Sequence, residues 1–265
     1  LVLGNVAASG LTLDTSSGNG AVTQAAGSRI QLDYWADFNT GSGNLTLNNA
    51  GNTLYSLGIT NAGAVDVSDA GSFLNLGNIN AASLTVAAQG SVSSLSNLST
   101  AGAIDLRTSG GVMNLCSDGC ATLDAGGTVR LEATGDLNYG VVTSQAAGNA
   151  VTLITTGGFL SSYGGQGITT PNGRTLAYLL EDNSCGTAAP ASCHYFGDLL
   201  PVFKQYNTGY GSTVLGSGNG VIYSNAAYLS GGLAGSVSKT YDGATGIDLA
   251  GASFGTGNGA PVASN

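Results

Sequence analysis

The stretch "AVDVSDAGSFLNLGNINAASLTV", residues 64–86, decides the fold because it begins and ends with the same short pattern. The triplet "VDV" starts at Val65 and the triplet "LTV" at Leu84, each with a polar residue between two apolar ones. Alternation with period two is typical of a β-strand with one buried face. Between the triplets, Gly, Asn, Ser and Asp separate further apolar alternations, so one repeat contains several short strands and turns.

The same triplet recurs along most of the chain, with central steps of 20, 19 and 20 residues. Its copies start at Leu11, Leu45, Val65, Leu84, Ile104, Val129 and Val151. A second apolar position is expected eight residues after the triplet start, at Phe73, Val92, Val112, Leu137 and Phe159, and a third near Ile79, Leu98, Leu123 and Val142. Such a repeat cannot bury its apolar face alone, whereas stacked copies bury one continuous column. The sequence therefore predicts an all-β fold, a right-handed parallel β-helix.

The middle residue of each triplet should point outward, because successive side chains of a strand face opposite sides. The alignment then places Asp105 beside Arg130, and Arg107 beside Glu132, on the outside of consecutive coils. It also stacks the triplet at Leu11 directly on the triplet at Leu45. Unlike charges in that arrangement form a checkerboard of surface pairs rather than a catalytic cluster.

Composition excludes several classes of partner. The chain has 265 residues, a net charge of −9 and only six Lys plus Arg, which are scattered singly. No basic stripe is available to neutralise a phosphate backbone, so neither nucleic acid nor an anionic membrane is an expected partner. No apolar run approaches the roughly 20 residues that span a bilayer, so membrane insertion is not expected.

The cysteines occur as two close pairs, Cys116 with Cys120 and Cys185 with Cys193. Each pair brackets small turn-forming residues, which predicts two local disulfides in an exported protein. The repeat that contains "CSDGC" is longer by five residues, so this segment is interpreted as a loop inserted into a regular coil. Neither pair has the spacing of a zinc site, and His194 adjoins a cysteine on extended chain, so no metal, cofactor or thiol nucleophile is predicted.

Phrases such as "AVDVSDAG" and "TVRLEATGD", within residues 1–170, resemble the passengers of filamentous-haemagglutinin-like exoproteins, which are adhesins that Gram-negative bacteria export by the two-partner route. The segment "KTYDGATGIDL", Lys239 to Leu249, resembles the start of the YDG-type repeats found in such adhesins, and "GRTLAYLLEDN" and "LLPVFKQYN" resemble the piece before them. The resemblance implies a secreted or cell-surface protein that mediates attachment or biofilm formation. It also implies an outer-membrane transporter partner during export, and a host or matrix glycan or surface protein as the receptor.

These observations divide the chain into three parts. Residues 1–170 are expected to form the β-helix, and residues 171–228, which are rich in Tyr, a capping extension that shields the last coil. Residues 229–265 are expected to be a linker followed by the start of a YDG-type repeat.

The segment "QLDYWADF", Gln31 to Phe38, contains the only Trp and is interpreted as an interruption of the coil pattern between Leu11 and Leu45. Asp33, Tyr34, Trp35 and Asp37 are the candidate ligand-binding residues, because aromatic faces cover the C–H patches of a sugar while carboxylates accept from its hydroxyls. The alternative is that these aromatics pack under an irregular coil.

Three functions are compatible with this pattern. The first is a non-enzymatic adhesin segment that presents a binding surface on a stiff rod. The second is a polysaccharide-active enzyme, for which Asp33 and Asp37 are the nearest approach to an acid pair. The third is a structural spacer without a binding cleft.

Overall fold

The computed structural model describes residues 1–116, 120–162, 167–182, 194, 199–226 and 260–262. In this part of the chain, regular structure is almost entirely β, with one short 3₁₀ turn at Ser16–Gly18. The strands pair in parallel with strands of the preceding and following coils. The predicted parallel β-helix is thereby confirmed. None of the described residues forms a helix long and apolar enough to cross a membrane.

The described strands are numbered in chain order. They are β1 (Val2–Leu3), β2 (Val6–Asp14), β3 (Val22–Gln24), β4 (Ile30–Asn39), β5 (Leu45–Leu47), β6 (Ser56–Asp69), β7 (Phe73–Ala88), β8 (Ser91–Ser94), β9 (Asn97–Thr100), β10 (Ile104–Thr108), β11 (Met113–Asn114), β12 (Thr122–Ala125), β13 (Val129–Ala133), β14 (Leu137–Tyr139), β15 (Val141–Ser144), β16 (Gly148–Thr155), β17 (Leu160–Ser162), β18 (Ile168–Thr169), β19 (Gly173–Leu179), β20 (Phe203–Gln205), β21 (Gly220–Tyr223) and β22 (Ala260–Val262).

The triplets form the first interior column, as predicted from Leu45 onward. Leu84 lies between Val65 and Ile104, and the same register continues to Val129 and Val151. The outer residues of these triplets are all buried, so each contacts its counterparts in the coils above and below. Stacking like on like in this way removes apolar surface that a single coil leaves exposed.

The second interior column differs by one residue from the prediction in three coils. Its members are Leu74, Val92, Met113, Leu137 and Leu160, paired in that order and fully buried. The predicted Phe73, Val112 and Phe159 each precede the buried residue, and Val112 is 40% exposed. The reason is that the turn after the triplet is one residue longer in these coils, which shifts the buried position of the next strand by one residue.

The third column was predicted correctly. Ile79, Leu98, Leu123 and Val142 pair in sequence and are buried, and Leu98 lies between Ile79 and Leu123. This register is kept across the cysteine insertion. A disulfide joins Cys116 to Cys120, and the backbone N–H of Ala121 donates to the carbonyl of Leu115 at 2.8 Å. The inserted loop is therefore closed at its base, and the predicted first bridge is present.

The register at the amino terminus was predicted wrongly. The triplet at Leu11 pairs with Ala36–Phe38 of β4, whereas the triplet at Leu45 pairs with Val22 of β3. The segment around "QLDYWADF" is therefore a coil strand and not an interruption. The cause of the error is that the strand at Val22 carries only one large apolar residue, so its pattern is too weak to recognise.

The charged ladder has the predicted register. Asp105 pairs with Arg130, and Arg107 pairs with Glu132. The ion pairs themselves run along each strand, from Arg107 to Asp105 and from Arg130 to Glu132. All four side chains are partly exposed, so their net contribution to stability is small.

A polar column of Asp14, Asn39, Asn61 and Asn80 runs along another outer edge. Asn39 Nδ2 donates to Asp14 at 3.0 Å, and Asn80 Nδ2 donates to the Asn61 side-chain oxygen at 2.8 Å. Hydrogen bonds from the side chain and backbone of Ser16, and then from Asn39, lower the pKa of Asp14. Amide groups repeated at the coil spacing thus bond between coils, which adds to the backbone ladder.

The parallel ladder continues into the segment predicted as a cap. Strand β19 pairs with β16 and β21, and β21 pairs with β20. Asp182 binds three side chains there: Lys204 Nζ at 2.8 Å, Tyr206 OH at 2.7 Å and Tyr223 OH at 3.0 Å. Tyr206 also stacks on Tyr223. Of residues 229–265, the structure describes only β22, so the YDG-like segment lies outside the described residues.

Candidate functional site

Strand β4 presents the predicted ligand-binding residues to solvent. Tyr34 is 61% exposed and Trp35 is 47% exposed, and the side chains of Asp33 and Asp37 are exposed as well. Of the aromatics in "QLDYWADF", only Phe38 packs in the core. The condition for a sugar platform, an exposed indole beside carboxylates, is therefore met.

A β-bulge explains why three consecutive side chains are exposed. Ala8 pairs with Leu32, and Gly10 pairs with Trp35, so Asp33 and Tyr34 together oppose one residue of β2. An extra residue of this kind bends a strand and redirects its side chains. Strict alternation returns with buried Ala36 and continues through exposed Asp37 to buried Phe38.

The indole of Trp35 lies against the preceding coil at Gly10. A Cβ at Gly10 would lie 2.2 Å from Cε2 of the indole and 2.5 Å from Cδ2. Because glycine has no Cβ, it is the residue at position 10 that leaves room for the Trp35 indole. The backbone of Gly10 therefore supports the indole, while almost half of the Trp35 surface remains in solvent.

The aromatic patch consists of Tyr34, Trp35, Tyr55 and Phe73, on three consecutive coils. Tyr34 and Trp35 have ring centroids 6.3 Å apart, and Tyr55 and Phe73 have centroids 5.7 Å apart. Tyr55 is 52% exposed and lies in the coil that follows β4. Sequence reasoning missed Tyr55, because its place beside the patch depends on the pairing of Ala36 with Leu57.

A recess lies around Asp69, on a different face of the solenoid from the aromatic patch. It has a volume of about 440 Å³, its floor includes Ala87 and Ala88, and Arg107 stands at its edge. The carboxylate of Asp69 accepts from the backbone N–H of Leu54 at 2.6 Å and of Gly71 at 3.1 Å. Burial nevertheless dominates and raises the pKa of Asp69 to about 6. By accepting these two hydrogen bonds, the carboxyl group of Asp69 links Leu54 to the turn at Gly71.

Replacing Asp69 by Asn should flatten the pH dependence of stability. The folded pKa of Asp69 is about 6 and its ordinary value is 3.8, so between these values the folded state binds more protons than the unfolded state. The contribution of Asp69 is thus favourable in acid and is lost as the pH rises, by about 2 kcal/mol between pH 4 and pH 7. Urea unfolding of Asp69→Asn at several pH values should show the variant gaining that amount relative to wild type as the pH rises. Asp124→Asn, at an exposed position of β12, controls for the loss of one negative charge, and a profile unchanged by Asp69→Asn would contradict the assignment.

His194 has a structural role. Its ring is buried, Nδ1 accepts the backbone N–H of Leu160 at 3.0 Å, and Nε2 lies 3.1 Å from the carbonyl oxygen of Glu181. Desolvation lowers its pKa, which favours the neutral ring with the proton on Nε2. Both ring nitrogens of His194 thus form hydrogen bonds with backbone groups of the solenoid. The predicted pair Cys185 and Cys193 lies outside the described residues.

Among the described residues, no group of three or more His, Cys, Asp or Glu side chains is arranged to hold a metal ion. The structure is a β-solenoid with an exposed patch of aromatic and acidic side chains. Comparison with known proteins found no matching family model, no matching curated protein and no matching solved structure.

Proposed function

We propose that this chain is a segment of a secreted or surface-exposed bacterial adhesin that binds glycans through the patch on β4. The observation that carries the proposal is the exposure of Trp35 and Tyr34 beside Asp33 and Asp37 in an otherwise regular coil. Elsewhere on the outer faces of the central coils, Thr, Ser and Asn predominate. A large exposed aromatic side chain is therefore unusual on this polar surface.

The geometry supports binding by stacking. The indole rests on Gly10 and so is held in place before a ligand arrives. Its exposed surface can cover the apolar C–H face of a sugar, while the neighbouring carboxylates accept hydrogen bonds from hydroxyl groups. A contact of this kind is weak alone, and a rod that displays several of them gains strength by multivalency.

We propose binding rather than catalysis because only one of the two acids lines a groove. Asp37 is the one carboxylate among the residues that line the groove next to the patch, and Asp33 is not among them. Glycosidases place their two carboxyl groups about 5 to 10 Å apart across the scissile bond. Incubation with neutral and acidic polysaccharides, followed by an assay for new reducing ends, tests the enzymatic alternative directly.

Export belongs to the same proposal. The bridge between Cys116 and Cys120 is of the kind that persists in oxidising compartments. The resemblance of residues 1–170 to two-partner-secretion passengers supports an outer-membrane transporter as the export partner, and attachment or biofilm formation as the biological role. Localisation of the full protein in fractionated cells tests this part separately.

Trp35→Ala is expected to weaken glycan binding by at least about tenfold, or about 1.4 kcal/mol. The reason is loss of the stacking face, since the exposed side chain contributes little to the core. The measurement is a glycan array with wild type and Trp35→Ala, followed by calorimetric titration of both with the best oligosaccharide. For wild type, the fluorescence of Trp35, the only Trp, is recorded as well.

Leu215→Ala is a matched control, because Leu215 is a similarly exposed apolar side chain in the carboxy-terminal part. It should bind as wild type does. Emission that acrylamide quenches readily and that sugar shifts would support the platform. Binding to no glycan, or equal binding by Trp35→Ala, would contradict it and favour the spacer.

A further inference from the structure

A groove begins beside the aromatic patch and crosses four consecutive strands of the stack. It has a volume of about 760 Å³, is open to solvent, and takes lining residues from β4, β6, β7 and β9. Three coil steps of about 4.8 Å give it a length of roughly 14 Å along the solenoid axis. That length accommodates several sugar units of a linear chain.

Two stacked glycines make the floor of the groove. A Cβ at Gly58 would lie 2.5 Å from Oδ1 of Asp37, so the Asp37 carboxylate lies over this glycine. A Cβ at Gly77 would lie 3.7 Å from the Cα of Gly58 and 3.5 Å from the carbonyl oxygen of Leu57, which are ordinary contacts. The floor is therefore open at Gly77, whereas at Gly58 the Asp37 carboxylate covers it.

Apart from Asp37, the residues that line the groove are uncharged. They include Asn78, Asn80 and Asn97. Asn78 accepts the backbone N–H of Asn97 at 3.2 Å, and Asn80 donates to the side chain of the preceding coil at 2.8 Å. These bonds between coils fix the orientation of the amides. Side-chain amides offer both donors and acceptors, which is what sugar hydroxyls require.

The groove and the aromatic patch form one continuous surface. Ala36 pairs with Leu57, so the register places Ser56, a groove residue, beside Trp35. Asp37 follows Trp35 by two residues on the same outer face, and it also lines the groove. A ligand stacked on Trp35 can therefore extend past Asp37 onto the glycine floor.

We infer that this groove holds a linear, uncharged polysaccharide that runs along the solenoid axis, with one sugar on Trp35 and the next ones past Asp37 and over Gly77. The inference rests on the proposed function and adds the class of ligand. Neutral chains are favoured because Asp37 is the single charged residue among those that line the groove, and its carboxylate repels uronate or sulfate groups.

Gly77→Gln tests the groove separately from the platform. The new Cβ meets only ordinary contacts, and the side chain extends into the groove, so the variant should fold. Gly4→Gln is the matched control, because a Cβ at Gly4 has no neighbour within 4 Å. The probes are uncharged homo-oligosaccharides of glucose, mannose and N-acetylglucosamine, from disaccharide to hexasaccharide, and oligogalacturonates of equal length, titrated by calorimetry.

Wild type and Gly4→Gln should bind the best neutral hexasaccharide about tenfold more tightly than its disaccharide. Gly77→Gln should lose this gain and keep the affinity for the disaccharide. Affinity that is independent of chain length, or unaffected by Gly77→Gln, would overturn the groove while leaving the platform in place. Equal or tighter binding of galacturonate would overturn the preference for neutral chains. Failure of the proposed function differs from both, since then Trp35→Ala binds every oligosaccharide as wild type does.

Discussion

Leu98→Ala is expected to lower the free energy of unfolding by about 2 to 5 kcal/mol. Leu98 is fully buried in the third interior column, between Ile79 and Leu123 of the adjoining coils. Truncation removes contacts with both neighbours, and the rigid backbone ladder limits how far the coils can close around the cavity. One substitution thus weakens two interfaces of the stack.

Ser99→Ala is the matched control, because Ser99 is the next residue of β9 and its side chain is exposed. It should change the unfolding free energy by less than about 0.5 kcal/mol. Urea unfolding measures both effects. Amide hydrogen exchange adds a spatial test, since a solenoid depends on contacts between neighbours and the loss of protection should be largest in β7, β9 and β12. Equal effects of the two substitutions would show that Leu98 is not an interior residue.

The repeat was predictable from sequence where each coil carries large apolar residues at a constant spacing. The columns at Leu84 and Leu98 satisfy that condition and were predicted correctly. The slip at Val112 arose because turns differ in length by one residue between coils, and Gly, Ser and Asn specify that length only weakly. The error at Leu11 arose because the true partner of the triplet at Leu45 is the inconspicuous strand at Val22.

The candidate site was predictable in composition but not in shape. Trp35 and its acidic neighbours were identified from the concentration of aromatic and acidic residues in one segment. Their exposure depends on the bulge opposite Gly10, which is a property of the pairing between coils. Tyr55 and the glycine floor at Gly58 and Gly77 become neighbours only through the same pairing. A pattern along the chain cannot show which residues of different coils are neighbours until the register is known.

Gly126→Ala is expected to lower the free energy of unfolding by about 3 to 5 kcal/mol. The new Cβ would lie 2.1 Å from the carbonyl oxygen of Ala101 in the preceding coil, and this is backbone that cannot rotate away. Overpacking of this kind costs about 1 to 3 kcal/mol. Separating the coils also lengthens two hydrogen bonds, from Gly126 N–H to Thr100 and from Gly127 N–H to Gly102, each worth about 1 kcal/mol.

Gly4→Ala provides the comparison for Gly126→Ala, because a Cβ at Gly4 meets nothing within 4 Å. Replacing a glycine that is free of contacts reduces the entropy of the unfolded chain, so Gly4→Ala should be neutral or stabilise by up to about 1 kcal/mol. The two substitutions make the same chemical change, and only Gly126→Ala should lower the urea midpoint. Hydrogen exchange at the amides of residues 126 and 127 should accelerate in Gly126→Ala alone. A neutral or stabilising Gly126→Ala would mean that the coils are not stacked at this turn, because the backbone conformation of Gly126 is one that alanine adopts without strain.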